Sequence, residues 1–310
     1  MKKVLIMWIG QLVSQFGTGL TKFGISVWVY ETTGSTLSFA VTLCAAAIPG
    51  AILSPIAGVV VDRIDRRLLL VGTDLIAVIG TAALLAAQHW FSLQIWYIYI
   101  FLAVMSSAGT FQVPAFKALI PMMVSGKELE KINGMQKFGQ GFKKIAAPAV
   151  AGTLFTMWGL GSLLLIDIIT FSAGILPLLV MSLPQLDRSD DQKVTISHIV
   201  SELVRVSKFI VARKPLVYAL GLVTWTAFLV QFLQATFQPL VLDLSSAAHL
   251  GKIISISGAA SLASGLILGV LGGPDNRGRA VGIGMAVIAL GVALIGARPG
   301  FRRSRLPVRS

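Results

Sequence analysis

Gln11, Gln15, Thr18 and Lys22 follow one another at spacings of four, three and four, which places them on one face of a helix. Ser14 and Thr21 border that face, and the residues between are largely apolar. A single glutamine among apolar helices does no more than hydrogen-bond a neighbour, a contact worth about 0.6–2 kcal/mol. Four polar side chains on one face, one of them a lysine, fit the wall of a water-filled cavity. Gln231, Gln234 and Gln238 repeat the pattern further along, with Thr224 two turns earlier.

Three ionisable residues stand inside apolar runs: Lys22, Asp74 and Asp167. Each costs about 2.5–3.5 kcal/mol at the centre of a membrane helix, so each must face a partner or water. Asp74 lies seven residues after Arg67 on the same face, which fits either a salt bridge to the preceding arginines or a proton-binding role. Asp167, deeper within "GSLLLIDIITF", is a candidate for binding a proton or cation. Lys22 is a candidate counter-ion for it, or a charge partner for an anionic substrate.

These residues need a scaffold that crosses lipid. Of 310 residues, 55% are hydrophobic and only 13% charged, against about 25% charged in soluble domains; the mean hydropathy is +0.82. Nine runs approach the roughly 20 residues a spanning helix requires: 4–30, 37–61, 69–88, 94–116, 139–157, 160–182, 216–240, 250–272 and 280–297. All must be helical, because lipid offers backbone groups no other partner in an open chain. The fold class is therefore all-α, a polytopic helical bundle. The lysines at the start and the apolar run after them resemble a signal peptide, but no A-x-A-like site follows, so a retained first helix is expected.

The net charge of +13 does not point to nucleic acid, since the basic residues lie between apolar runs. They alternate by loop. Arg63, Arg66 and Arg67 follow the second run; Lys117, Lys127, Lys131, Lys137, Lys143 and Lys144 follow the fourth; Arg188, Lys193, Arg205, Lys208, Arg213 and Lys214 follow the sixth. The intervening loops hold one lysine, Lys252, and no arginine. The positive-inside rule puts the N-terminus in the cytoplasm of a cell membrane. Within the long loop 184–215, Ile199, Leu203, Val206 and Ile210 fall at helical spacing, as in an amphipathic helix on the membrane surface. The expected organisation is a six-span bundle (1–183), a linker (184–215), a partial second bundle (216–298) and a basic tail (299–310).

A shift of 213 residues lays "DRIDR" (62–66) over "DNRGR" (275–279), Gln11 over Thr224 and Thr18 over Gln231, as a duplicated six-span unit would. Enzyme chemistry finds no foothold. Cys44 is the single cysteine, and His89, His198 and His249 are dispersed, so neither disulfide nor metal site is indicated. There is no G-x-x-x-x-G-K-[ST] cradle, and "GQG" and "GLG" lack the third glycine of a dinucleotide fingerprint. No cofactor is expected, and transport would draw on an ion gradient.

Five of the six positions from Asp62 to Arg67 are charged. Gly58-x-x-x-Asp62-Arg63-x-Asp65-Arg66-Arg67, between the second and third runs, resembles the signature loop of the major facilitator superfamily. Asp65 replaces the usual glycine, as in its bacterial macrolide and drug exporters. "FQVPAFKALIPMMV" (111–124) and "IAAPAVAGTLF" (145–155) are similar to the same subgroup, the latter through Pro148 and Gly152 of a helix-packing antiporter motif, with Ala147 in place of its glycine. The resemblance spans residues 4 to 297.

It implies a proton-coupled exporter of small amphiphilic molecules working by alternating access. Gly58, Asp62, Arg63, Asp65, Arg66 and Arg67 would form a conformational latch between the two halves. Gly58 would let two helices approach, Asp62 would sit near a helix N-terminus, and the arginines would pair with carboxylates. Gln11, Gln15, Thr18, Lys22, Gln231 and Gln234 would line the substrate cavity, with Asp167 or Asp74 coupling protons. Family members have twelve spans against nine here, and the arginine-rich ending "ARPGFRRSRLPVRS" breaks the charge rule, so a truncated, non-transporting remnant is the alternative expectation. Import of a small solute, or export of a siderophore-like anion, is a third.

Overall fold

A computed structural model describes residues 2–180, 196–271 and 277–296; the side chains of Asp62 and Arg63, Asp275 and the tail 299–310 lie outside that description. Every regular element among the described residues is a helix: α1 (Lys2–Thr33), α2 (Thr36–Arg63), α3 (Arg66–Trp90), α4 (Ile95–Met123), α5 (Lys127–Val180), α6 (Ile196–Val211), α7 (Lys214–Leu244), α8 (Ala247–Leu271) and α9 (Arg277–Gly296). Seven of them, all but α6 and α9, are long and apolar enough to cross a membrane. The chain is thus an all-α, multi-pass membrane protein.

α5 holds the fifth and sixth runs as two limbs of one element, divided at Gly159 between the expected spans. At 1.5 Å per residue, its 54 residues would extend about 80 Å, more than twice the roughly 30 Å hydrocarbon core. At Gly159 the backbone takes φ 70°, ψ −172°, a conformation open to glycine, and the chain reverses. Limb 127–158 runs alongside α1, with Gly139 beside Leu12 and Gly19 beside Ala147; limb 160–180 runs back, with Gly24 beside Leu163, Gly17 beside Thr170 and Gly10 beside Ala173. Two crossings therefore share one element with no linker. The glycines of α1 that face the returning limb recur every seven residues, and a Cβ on any of them would lie within 2.4 Å of an α5 atom.

The other turns follow local chemistry. Ser35 caps α2 by accepting from the Ser38 amide at 3.2 Å. Asp65 caps α3, accepting from the Arg67 amide at 2.8 Å, with φ −54°. That negative φ is why a glycine is not needed here; aspartate adds a cap.

Residues Met1–Ala259 form one compact unit and Ala260–Ser310 a second, which holds the rest of α8 and α9. The first unit has two apolar cores. One gathers Val4, Met7, Leu70, Leu119, Ile132 and Leu178 near the N-terminal end of α1. The other gathers Leu20, Ile25, Ile98, Leu102, Ala151, Phe155 and Leu163 beyond it. Between the two, in the register of α1, lie its polar residues.

Candidate functional site

A cavity of about 420 Å³ occupies that middle layer, walled mainly by α1, α4 and the first limb of α5, with Ala46 of α2, Thr73 and Ala77 of α3 and Phe171 of the second limb. Gln11, Gln15, Thr18 and Lys22 all line it, joined by Gln112 and Lys117 from α4 and by Gln136, Gln140 and Lys143 from α5. Trp8, Leu12, Met105, Phe116 and Phe171 supply apolar wall. From Lys22 the cavity runs toward the end of the bundle that carries the N-terminus and the 124–126 turn. Gln231 and Gln234 are exposed on α7 and do not line it. α7 meets the core only through its 237–242 stretch, by Phe237, Val241 and Leu242, so the carboxamides one to two turns earlier reach no cavity wall.

The two acidic residues stand behind the wall, each fully buried. Asp74 accepts from Gln11 Nε2 at 3.2 Å and from Gln112 Nε2 at 2.5 Å. Among the described residues Asp74 has no salt bridge: its partners are carboxamides from α1 and α4, and Arg66 and Arg67, both about two turns away, donate to backbone carbonyls instead. Thr18 donates to Asp167 Oδ1 at 3.3 Å, while Asp167 Oδ2 is buried without a partner among the described residues. On the wall itself, Lys143 Nζ donates to Gln15 Oε1 at 3.3 Å.

Sequence reasoning missed Gln112, Lys117 and Lys143 as wall residues. Gln112 was legible as a polar residue inside an apolar run. The lysines read as loop charges, yet they lie within α4 and α5, whose ends extend past the hydrocarbon thickness.

The charged turn holds the N-terminal end together by capping rather than by the expected carboxylate pairs. Arg66 Nη1 donates to the Ala118 carbonyl at 3.0 Å and to the Met122 thioether, beside Pro121 near the end of α4. Arg67 Nη2 donates to the Leu179 carbonyl at 2.6 Å. That carbonyl is in the last turn of α5, where intrahelical donors run out and the helix dipole favours a cation. Arg66 Nε is buried with no partner among the described residues. Gly58 is exposed with nothing within 4 Å of a Cβ built on it, which corrects the expected close approach: α2 turns that glycine away from its neighbours.

Pro148 and Gly152 lie where limb 127–158 meets α8. A Cβ on Gly152 would stand 2.4 Å from the Ala247 carbonyl oxygen, and one on Gly251 would stand 2.2 Å from that of Pro148. Pro148 has no N–H, so the Lys144 carbonyl loses its intrahelical donor. Gly258 passes this gap, and the Ser255 hydroxyl donates to the next carbonyl, that of Ile145. At the end of the bundle away from the N-terminus, Tyr30 Oη donates to Asp243 Oδ1 at 2.7 Å, tying α1 to α7.

Spanning helices around a half-polar central cavity are the architecture of a membrane transport protein. The chain belongs to the Major Facilitator Superfamily, whose sequence profile matches residues 7–301. It is 27% identical over 278 residues to macrolide efflux protein A of Streptococcus pyogenes, covering 89% of this chain and 68% of that protein. To macrolide efflux protein A of Enterococcus faecalis it is 28% identical over 233 residues, 74% of this chain and 71% of that one. A solved POT family transporter, in complex with a thioalcohol-conjugated peptide, shares the fold at a TM-score of 0.50 and 13% identity; the alignment covers 78% of this chain and half of that one.

Proposed function

We propose that this chain is an efflux carrier for amphiphilic small molecules, macrolide-like drugs among them, driven by proton exchange and working by alternating access about the central cavity. The observation that carries the reading is the placement of Asp74 and Asp167, two buried carboxylates held by neutral donors directly behind a polar cavity wall. Groups so placed can take up and release a proton as the cavity changes its access, with no cofactor. The relatives' names supply the direction of transport and the first substrates to test. The N-terminus is cytoplasmic in this reading, residues 1–183 form the first six-span half and 216–298 belong to the second. The turn from Asp62 to Arg67 acts as the latch between conformations.

The test is uptake of a macrolide or a fluorescent amphiphile by everted membrane vesicles holding the full chain. Uptake is expected to need a pH gradient and to fall at least tenfold with Asp62→Asn or Asp167→Asn. Uptake indifferent to the gradient and to both substitutions would overturn the coupling. A non-transporting reading is favoured by α7, whose most apolar stretch has none of its residues buried, so it adds no second wall to the cavity. Normal insertion with no uptake of any amphiphile would establish that alternative.

A further inference from the structure

The cavity wall is charged on one side of the ledger only. Among the described lining residues are three cations, Lys22, Lys117 and Lys143, and no carboxylate. Asp74 and Asp167 are fully buried behind the wall; Asp74 accepts from Gln11 and Gln112 and Asp167 Oδ1 from Thr18, while Asp167 also interacts electrostatically with Lys22. Lys143 passes beside Gly19, its Cγ 3.6 Å from where a Cβ on that glycine would lie. Among the described residues its ammonium donates to the neutral oxygen of Gln15. Lys22 follows Gly19 by three residues, so it lies on the same face of α1 one turn on. Even with both carboxylates ionised, the cavity keeps a positive balance, and apolar walls focus such a field on whatever enters.

We infer that Lys143 and Lys22 form an anion subsite, and that the cavity takes amphiphiles whose polar end is an anionic carboxylate, phosphate or sulfonate. The apolar body of such a ligand lies against Trp8, Leu12 and Phe116, which line the cavity on the N-terminal side of the lysines. This rests on the cavity being the substrate site proposed above, and it ranks acidic amphiphiles above neutral and cationic ones, basic macrolides included.

The full chain in phosphatidylcholine nanodiscs is titrated with a dansylated fatty carboxylate and with the matched alcohol and amine, read by energy transfer from Trp8 and compared with Trp8→Phe. The carboxylate is expected to bind at least tenfold more tightly than the amine. Lys143→Gln and Lys22→Gln should each weaken the carboxylate about tenfold while leaving the alcohol unchanged, and Lys143→Arg should retain it. Repeating the titration with phosphatidylglycerol in the disc separates two sources of the anion. Competition identifies a lipid headgroup and its absence a free amphiphile, and either supports the subsite. Equal binding of all three headgroups, or a preference for the amine, overturns the anion subsite and leaves the cavity as the binding site. No Trp8-dependent binding of any of the three overturns both.

Discussion

Tyr30 and Asp243 are 213 positions apart and joined by a 2.7 Å hydrogen bond, and 213 is also the offset at which the two charged turns of the sequence superimpose. The bond therefore links positions that are equivalents under the internal repeat, one on α1 and one on α7. It is the polar part of a contact whose apolar part is Phe237, Val241 and Leu242 against the core. A hydrogen bond to a charged group is worth about 1.5–3 kcal/mol. Tyr30→Phe and Asp243→Ala should each lower thermal stability by that order. The double variant should lose no more than the worse single one, the signature of one shared interaction. Additive losses in thermal unfolding of the purified protein would separate the two residues.

Glycine substitutions should divide sharply by location. Gly17→Ala would bring a methyl within 1.9 Å of Thr170 Oγ1, and Gly251→Ala within 2.2 Å of the Pro148 carbonyl. Such overpacking costs about 1–3 kcal/mol. Gly72→Ala has open space around it and should gain up to about 1 kcal/mol from helix propensity. Thermal unfolding of the three variants in one lipid or detergent checks the ordering.

That contrast also marks where reading the chain one-dimensionally succeeds. The four-three-four spacing of Gln11, Gln15, Thr18 and Lys22 survives folding because helical periodicity alone decides which side chains share a face, and all four line one cavity. α6 and the starts and ends of most spans were legible for the same reason. Whether a glycine is packed against a neighbour, as Gly17 is and Gly58 is not, depends on the partner helix. So does the pairing of Gln11 with Gln112 across Asp74, residues 63 and 38 positions from it. Lys143 was misread because the charge rule counts lysines without asking which face of a helix carries them.

Asp74 should tolerate a neutral isostere and reject an apolar one. In Asp74→Asn the carboxamides of Gln11 and Gln112 can turn to satisfy the new side chain. In Asp74→Leu both are left with unpaired donors in the bundle, at about 1–3 kcal/mol for each. The expected order of folded yield in membranes is Asp, then Asn, with Leu well below, read by fluorescence-detected size exclusion.

Arg66 should guard the end of α4. With Cys44→Ser and Met122→Cys as background, adding Arg66→Met removes the donor to the Ala118 carbonyl. The new thiol should then be labelled several-fold faster by a maleimide. An unchanged rate would mean that the last turn of α4 keeps its shape without the guanidinium.

The reversal at Gly159 bears on how the chain enters a bilayer. Limb 160–180 carries Asp167, whose carboxylate weighs about 2.5–3.5 kcal/mol against insertion by itself. With no linker, it cannot partition independently of limb 127–158. The two limbs leave the translocon as a helical hairpin, and Asp167 meets its donor, Thr18 of α1, as that hairpin docks against the first helix. A flexible spacer inserted at residue 159 would uncouple these events, and biogenesis would then depend on whether the acid-bearing segment can enter lipid alone.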